Sequence, residues 1–127
     1  MAVYLELCPH MQSGVIALSS GFMVYSHSVH PEYDEICAAI ARSHSTVVLL
    51  PSVDREVCIA ETVRRQLGRP LCRRDAAEEE VVIRERFPRY MALPATKVET
   101  MHPPEEVAAT IHAQLMANAP DALSAMR

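Results

Sequence analysis

Glycine and lysine are scarce in this chain of 127 residues, and their scarcity excludes the usual glycine-rich nucleotide loops. The chain has three glycines, Gly14, Gly21 and Gly68, and one lysine, Lys97, which follows Thr96. A phosphate-binding loop of the form GxxxxGK[ST] requires a glycine directly before its lysine. A GxGxxG dinucleotide motif requires glycines two and three positions apart, which this chain does not have. Both kinds of loop are therefore missing.

Long apolar runs and paired cysteines are also missing. The longest fully apolar run, Ile36 to Ala41, has six residues, whereas a membrane-spanning helix needs about 20. The four cysteines, Cys8, Cys37, Cys58 and Cys72, form no CxxC pair, and no signal peptide precedes them. We therefore expect a reduced, cytoplasmic chain with no membrane partner, in which Cys37 and Cys58 are small core residues.

The charge balance is acidic, but nearly all of the cations are arginines. Twelve basic and sixteen acidic residues give a net charge of −4, which argues against nucleic acid and anionic membranes as partners. Guanidinium groups bind carboxylates and phosphates through paired hydrogen bonds. The composition favours a small carboxylate or phosphate ligand, although an arginine-biased genome would give the same ratio.

Strand and helix patterns alternate along the chain. Two continuous apolar runs, Val15–Leu18 and Thr46–Leu50, predict strands covered on both faces, and Lys97–Thr100 is a weaker third candidate. Strands that alternate with helices indicate a parallel sheet with crossover helices. The predicted fold class is α/β, with three α/β/α layers and a short parallel sheet. We expect a single domain over 1–127, with its core at about 14–117 and a mobile tail at 118–127.

Four helices are expected between and after these runs. The first follows Pro31, the second begins near Ser52 or Asp54 and ends at Gly68 in a left-handed conformation, and the third is polar and spans about 75–86. The fourth begins at Pro103 and Pro104, and its apolar side is Val107, Ile111, Leu115 and Met116. The predicted buried face of the second helix is Val57, Ala60, Val63 and Leu67.

Five arginines lie within eleven residues with no acidic residue between them: Arg64, Arg65, Arg69, Arg73 and Arg74. They are either a solvated helix end and loop, or a cationic flap over a polyanion. Gly68 and Pro70 mark a break from helix into loop at the centre of the run. Arg69 is the strongest candidate because it lies in that loop.

Two further segments are candidates for ligand binding. Pro88 disfavours helix at Phe87, so that the side chain of Arg86 is either fixed at a helix boundary to bind a carboxylate, or simply exposed. Ser19, Ser20 and Gly21 follow the first predicted strand, where small residues allow a ligand to approach the backbone, or where a strand ends in a turn. The histidines and cysteines match no metal or nucleophile motif.

Taken in order, these segments resemble the later part of a shikimate kinase-like small-molecule kinase, over roughly residues 14 to 115. The similarity covers the family's substrate loop, a buried strand, the lid motif, the Arg-x-Pro-x-Tyr motif and the final strand and helix. The matching segments are 15–21, 46–51, 69–71, 86–90, 98–100 and 104–107.

The resemblance implies a role for each matching residue. Arg69, with Arg73 beside it, would be in the lid that reaches the nucleotide phosphates, and Arg86 would pair with the carboxylate of the acceptor. Gly21 and the backbone of Ser19 and Ser20 would contact the acceptor, although serines replace two of the family's glycines here. ATP and Mg²⁺ are cofactors by this resemblance alone.

The family's Walker loop and its magnesium-binding and catalytic residues precede the matched region, so no catalytic residue is assigned here. Phosphoryl transfer depends on positioning and charge stabilisation, and we expect this chain to be inactive alone. The family's first strand would lie between the strands at 15–18 and 46–50. The gap could close by direct pairing, by a homodimer, or by a complementing amino-terminal half.

The alternative function for the chain is that of a non-catalytic kinase-like module for anion binding or assembly.

Overall fold

The structure, a computed structural model, describes residues 13–25 and 29–119, and the chain divides into two compact units, Met1–Ile40 and Ala41–Arg127. The single domain expected from the sequence stays a prediction. The helices and strands of the described residues are α1 (Tyr33–Arg42), β1 (Val47–Leu50), α2 (Arg55–Leu67), α3 (Ala76–Ala92), β2 (Thr96–Glu99) and α4 (Pro104–Asn118).

The two strands are parallel neighbours, connected by a crossover through α2 and α3. Val47 lies opposite Thr96, and Leu50 lies opposite Glu99. Over the described ranges the sheet contains these two strands. Parallel strands need such a crossover because a tight turn can join only antiparallel strands. The α/β class and the short parallel sheet are therefore confirmed.

The strand predicted at Val15–Leu18 is wrong. These residues adopt no regular structure, and Val15 is 95% exposed. An apolar run becomes a strand only where a neighbouring strand completes its hydrogen bonds and a packed face covers it. Neither is found for this run within the described residues.

Helix α2 begins and ends where the sequence predicted. The Asp54 carboxylate accepts a hydrogen bond from the Val57 N–H at 3.0 Å, which satisfies a free donor at the helix start. Gly68 caps the other end, and its N–H donates to the Arg64 carbonyl. The expected left-handed conformation is wrong, because Gly68 has a φ of −74°.

The predicted buried face of α2 is also wrong. Val57 and Leu67 are exposed, and Cys58 and Ile59 are buried instead, Ile59 to 2% exposure. Apolar residues occupy most of the first two turns, so periodicity alone does not select one side. The packing of α2 against α3, and of Cys58 against the core, selects the side.

Helix α3 begins at a capping box and continues past the predicted end. The Asp75 side chain accepts from the Glu78 N–H at 2.9 Å, and the Glu78 side chain accepts from the Asp75 N–H at 3.0 Å. The helix then continues through Pro88 to Ala92, so the predicted boundary at Phe87 is wrong. An interior proline costs about 3 kcal/mol. Burial of apolar side chains from this last part of α3 opposes that cost.

The core of the second unit lies between β1, α2 and the end of α3. Its buried members are Val48, Leu50, Cys58 and Ala95, and half-buried side chains from α3 and the turn after it pack against them: Phe87, Tyr90, Met91 and Leu93. Helix α4 lies against β2.

None of the helices in the described ranges is long and apolar enough to cross a bilayer. The tail predicted from residue 118 lies outside the described residues beyond Ala119.

Candidate anion-binding site

Helices α2 and α3 form an antiparallel hairpin whose open end is held by Arg84. Its guanidinium donates to both carboxylate oxygens of Glu56, in the first turn of α2, at 2.8 and 2.9 Å. It also donates to Glu80 at 2.8 Å. The hydrogen bonds from Arg84 hold the pKa of Glu56 below its usual range. The loop of residues 68–75 closes the opposite end of the hairpin.

Glu61 forms ion pairs with the first two arginines of the cluster. It accepts hydrogen bonds from Arg64 at 2.6 and 2.8 Å and from Arg65 at 2.8 Å. These bonds lower the pKa of the Glu61 carboxyl to about 2. Arg65 also donates to the hydroxyl of Thr100 at 2.9 Å and to its carbonyl at 3.1 Å. Arg65 therefore connects the end of α2 with the residue after β2, whereas Arg64 is paired within its own helix.

Arg74 is also held by an acidic residue. Its guanidinium lies 3.4 Å from the carboxylate of Glu79, which is buried in the first turn of α3. A buried carboxylate requires a partner of this kind because water no longer stabilises its charge. Three of the five clustered arginines are therefore ion-paired within the chain.

The two remaining arginines, Arg69 and Arg73, are exposed in the loop between the helices. In the part of the chain that the structure describes, no carboxylate pairs with either. The backbone shapes the loop, since Arg69 N–H donates to the Gln66 carbonyl at 3.1 Å and Cys72 N–H donates to the Arg69 carbonyl at 3.2 Å. Two exposed guanidiniums on one short loop can bind the oxygens of a phosphate or carboxylate.

Arg86 is half-buried on α3, away from this loop. It lies ten positions after Ala76 at the start of the helix, which is roughly 15 Å along the axis at 1.5 Å per residue. Tyr90, one turn farther on, has its pKa raised by burial, while the charge of Arg86 acts in the opposite direction. The structure therefore does not bring Arg86 together with Arg69 and Arg73.

Ser19, Ser20 and Gly21 lie in the first unit, in a tight turn. The Phe22 N–H donates to the Ser19 carbonyl at 3.0 Å, and the Phe22 carbonyl accepts from the Tyr33 hydroxyl at 2.7 Å. Burial is the main cause that raises the pKa of Tyr33 to about 12. The turn is thus fixed against α1, and both serines are exposed.

The carboxyl ends of the two strands, a common place for ligands in parallel sheets, are joined to each other by internal hydrogen bonds. Glu99 Oε2 accepts from the Val53 N–H at 3.0 Å. This bond, together with one from the Ser52 side chain, lowers the pKa of Glu99. Within residues 13–25 and 29–119, no three histidine, cysteine, aspartate or glutamate side chains form a group that could hold a metal ion.

A groove that the sequence did not indicate lies at the open end of the hairpin. It has a volume of about 590 Å³ and is lined by Arg55, Phe87, Pro88, Met91 and Ala92. Arg55 is the first residue of α2, where acidic side chains are normally favoured because the helix start is positive. A cation at this unfavourable position is the sequence signal that could have indicated the groove. Arg86 is not among the lining residues.

No protein-family model, curated protein or solved structure matches this chain.

Proposed function

We propose that the chain is the later portion of a shikimate kinase-like phosphotransferase, which binds anions through Arg69 and Arg73 and does not transfer phosphate alone. The supporting observation is the loop at residues 68–75. Its arginines have no acidic partner among the described residues, whereas Arg64, Arg65 and Arg74 are ion-paired. In the proposed function, Arg69 and Arg73 bind the phosphates of a nucleotide.

The order of elements supports the family assignment. Strand β1, the arginine loop, Arg86 on α3, strand β2 and helix α4 follow one another as in the matched motifs. The parallel pairing of β1 with β2 is compatible with a sheet that continues on the other side of β1. The three-layer arrangement and the P-loop kinase-like fold belong to this proposal, as do the acceptor roles of Arg86, Ser19, Ser20 and Gly21.

The described residues fit only part of what ATP and Mg²⁺ require. Two exposed guanidiniums suit phosphate oxygens, whereas these residues provide no group of three side chains for a metal ion. Mg²⁺ is usually held by carboxylates together with substrate phosphates. The proposal therefore assigns the metal-binding residues and the Walker loop to a complementing amino-terminal half, because a second copy of the chain would have the same sequence and the same lack of a GxxxxGK[ST] loop.

Titration calorimetry with inorganic phosphate and with ATP tests the binding. We expect Arg69→Gln combined with Arg73→Gln to weaken binding at least roughly tenfold, because charge-assisted hydrogen bonds contribute about 1.5–3 kcal/mol. Arg64→Gln is the matched control, since Arg64 is already paired with Glu61, and it should bind as the wild type does. Equal affinity of the double variant and the wild type would contradict the proposed site.

A non-catalytic module for anion binding or assembly is the second candidate. This candidate is favoured because the described residues contain Arg69 and Arg73, which have no acidic partner there, but no group of side chains that could hold a metal ion. The two candidates differ when a Walker-containing amino-terminal half is added to the chain. A portion of a kinase should then transfer phosphate from ATP to a small carboxylated acceptor, whereas a binding module should still bind phosphate and transfer none.

A further inference from the structure

The groove at the open end of the hairpin is open to solvent and combines an apolar wall with one cation. Its volume of about 590 Å³ lies within the range of roughly 300–1,000 Å³ that is usual for ligand pockets. Phe87, Pro88, Met91 and Ala92 give it an apolar wall, and Arg55 is its only charged lining residue. An apolar wall with one charged group can recognise a ligand that has an apolar body and one charge of opposite sign.

The cation of Arg55 is available because its acidic neighbours are engaged elsewhere. Asp54 accepts the capping hydrogen bond from the Val57 N–H at 3.0 Å. Glu56 binds Arg84 through both of its carboxylate oxygens. Arg55 itself forms no ion pair with another residue in the described ranges. A guanidinium in this position can form paired hydrogen bonds with a carboxylate.

Two features of the hairpin shape this groove. The paired bonds from Arg84 on α3 to Glu56 on α2 fix the distance between the two helices close to the groove, and the bond from Arg84 to Glu80, one turn back on α3, holds the guanidinium in place. Pro88 lies in the interior of α3 and forms part of the groove wall, at a position where a proline destabilises a helix. Features that are locally unfavourable, such as Pro88 and the cation of Arg55 at a helix start, are expected mainly at functional sites.

From these observations we propose that the groove binds a small carboxylate with an aromatic or branched aliphatic body. The carboxylate pairs with the guanidinium of Arg55, and the apolar body packs against Phe87, Pro88 and Met91. The site is separate from the loop of residues 68–75, and the inference does not depend on the kinase resemblance.

Titration of the whole chain with phenylacetate, followed by ¹H–¹⁵N NMR, tests the inference. We expect the amide signals of residue 55 and of residues 87–92 to shift, apart from that of Pro88. Arg55→Gln should weaken the binding of phenylacetate roughly tenfold. Phenylacetamide has the same shape and no charge, so it should bind the wild type roughly tenfold more weakly than phenylacetate does. Ala92→Phe should abolish binding by filling the groove, since Ala92 is exposed and its replacement leaves the core intact.

Arg64→Gln is the control and should bind phenylacetate as the wild type does. Equal binding of phenylacetate and phenylacetamide, or shifts at residues 68–75 in place of 87–92, would overturn the inference. It would also be overturned if signals at 87–92 changed with protein concentration alone, because a second copy would then occupy the groove. Phosphate binding measured on the same samples reports separately on the proposed function.

Discussion

Glu61 accepts hydrogen bonds from Arg64 and Arg65 and so occupies the two arginines of the cluster that lie on α2. It bonds to Arg64 and Arg65 on the following turn of α2, and Arg65 in turn bonds to Thr100 after β2. One carboxylate therefore connects the end of α2 with the end of the second strand. Of the five clustered arginines, Arg69 and Arg73 in the loop are the two that have no carboxylate partner among the described residues.

Replacing Glu61 should change the pH dependence of stability. The folded-state pKa of Glu61 is lowered to about 2, so its contribution is fully present above the ordinary glutamate pKa and is lost as the pH falls towards 2. We expect Glu61→Gln to unfold at a lower urea concentration than the wild type at pH 7. The difference between the two proteins should shrink steadily between pH 5 and pH 2.5.

Urea unfolding at several pH values, followed by circular dichroism, measures this difference. Glu105→Gln is the control, because Glu105 makes no ion pair in the part of the chain that is described. Its difference from the wild type should be small across the whole pH range. A difference for Glu61→Gln that stays constant down to pH 2.5 would show that the ion pairs with Arg64 and Arg65 do not stabilise the fold.

At the residue scale, the sequence could distinguish loop arginines from helix arginines but could not identify their partners. Gly68 and Pro70 place Arg69 in a loop, and the structure has it exposed there. The pairing of Arg74 with Glu79 depends on how the loop enters α3, and the groove at Arg55 depends on the packing of α3 beside α2. Neither arrangement follows from local sequence.

Among the elements, β1 has the clearest division between a buried and an exposed face. Leu50 is 6% exposed and belongs to the core, whereas Leu49 is 54% exposed. Successive side chains of a strand point to opposite faces of a sheet. A continuous apolar run was expected to be covered on both faces, but within the described residues the face that carries Leu49 is covered incompletely.

Alanine substitutions at these two leucines should have very different effects. We expect Leu50→Ala to lower the free energy of unfolding by about 2–5 kcal/mol, because it leaves a cavity in the core. Leu49→Ala, the matched control in the same strand, should change it by no more than about 0.5 kcal/mol. Urea unfolding of both variants checks this. Similar losses would mean that the strand is covered on both faces, as the sequence predicted.

The helices were predicted better than the strands because their signals are local. Asp54, Gly68 and Asp75 each act within a few residues of their own position, and the corresponding helix ends are confirmed. The strand expected at Val15–Leu18 required a distant partner that local sequence does not contain. The continuation of α3 through Pro88 required packing against the core, which outweighs a local preference.

For the molecule as a whole, the core cluster lies entirely within the second unit. A fragment of residues 43–127, which begins after α1, should therefore unfold cooperatively in urea. Leu50→Ala should destabilise this fragment by about 2–5 kcal/mol, as in the whole chain. A fragment of residues 43–92 is the control, because it lacks Ala95 and β2 and should not unfold cooperatively. Loss of cooperative unfolding in the longer fragment would show that the core depends on the first unit.

The parallel crossover also determines when the sheet can form during synthesis. Val47 pairs with Thr96, 49 positions later in the chain. A ribosome adds about 5–20 residues per second, so β1 is made roughly 2–10 s before its partner. During that interval α2 and α3 can form from local contacts, while the uncharged segment Val47–Leu50 has no strand to pair with. The nascent chain therefore passes through a period in which this segment is open to chaperones and to association with other nascent chains.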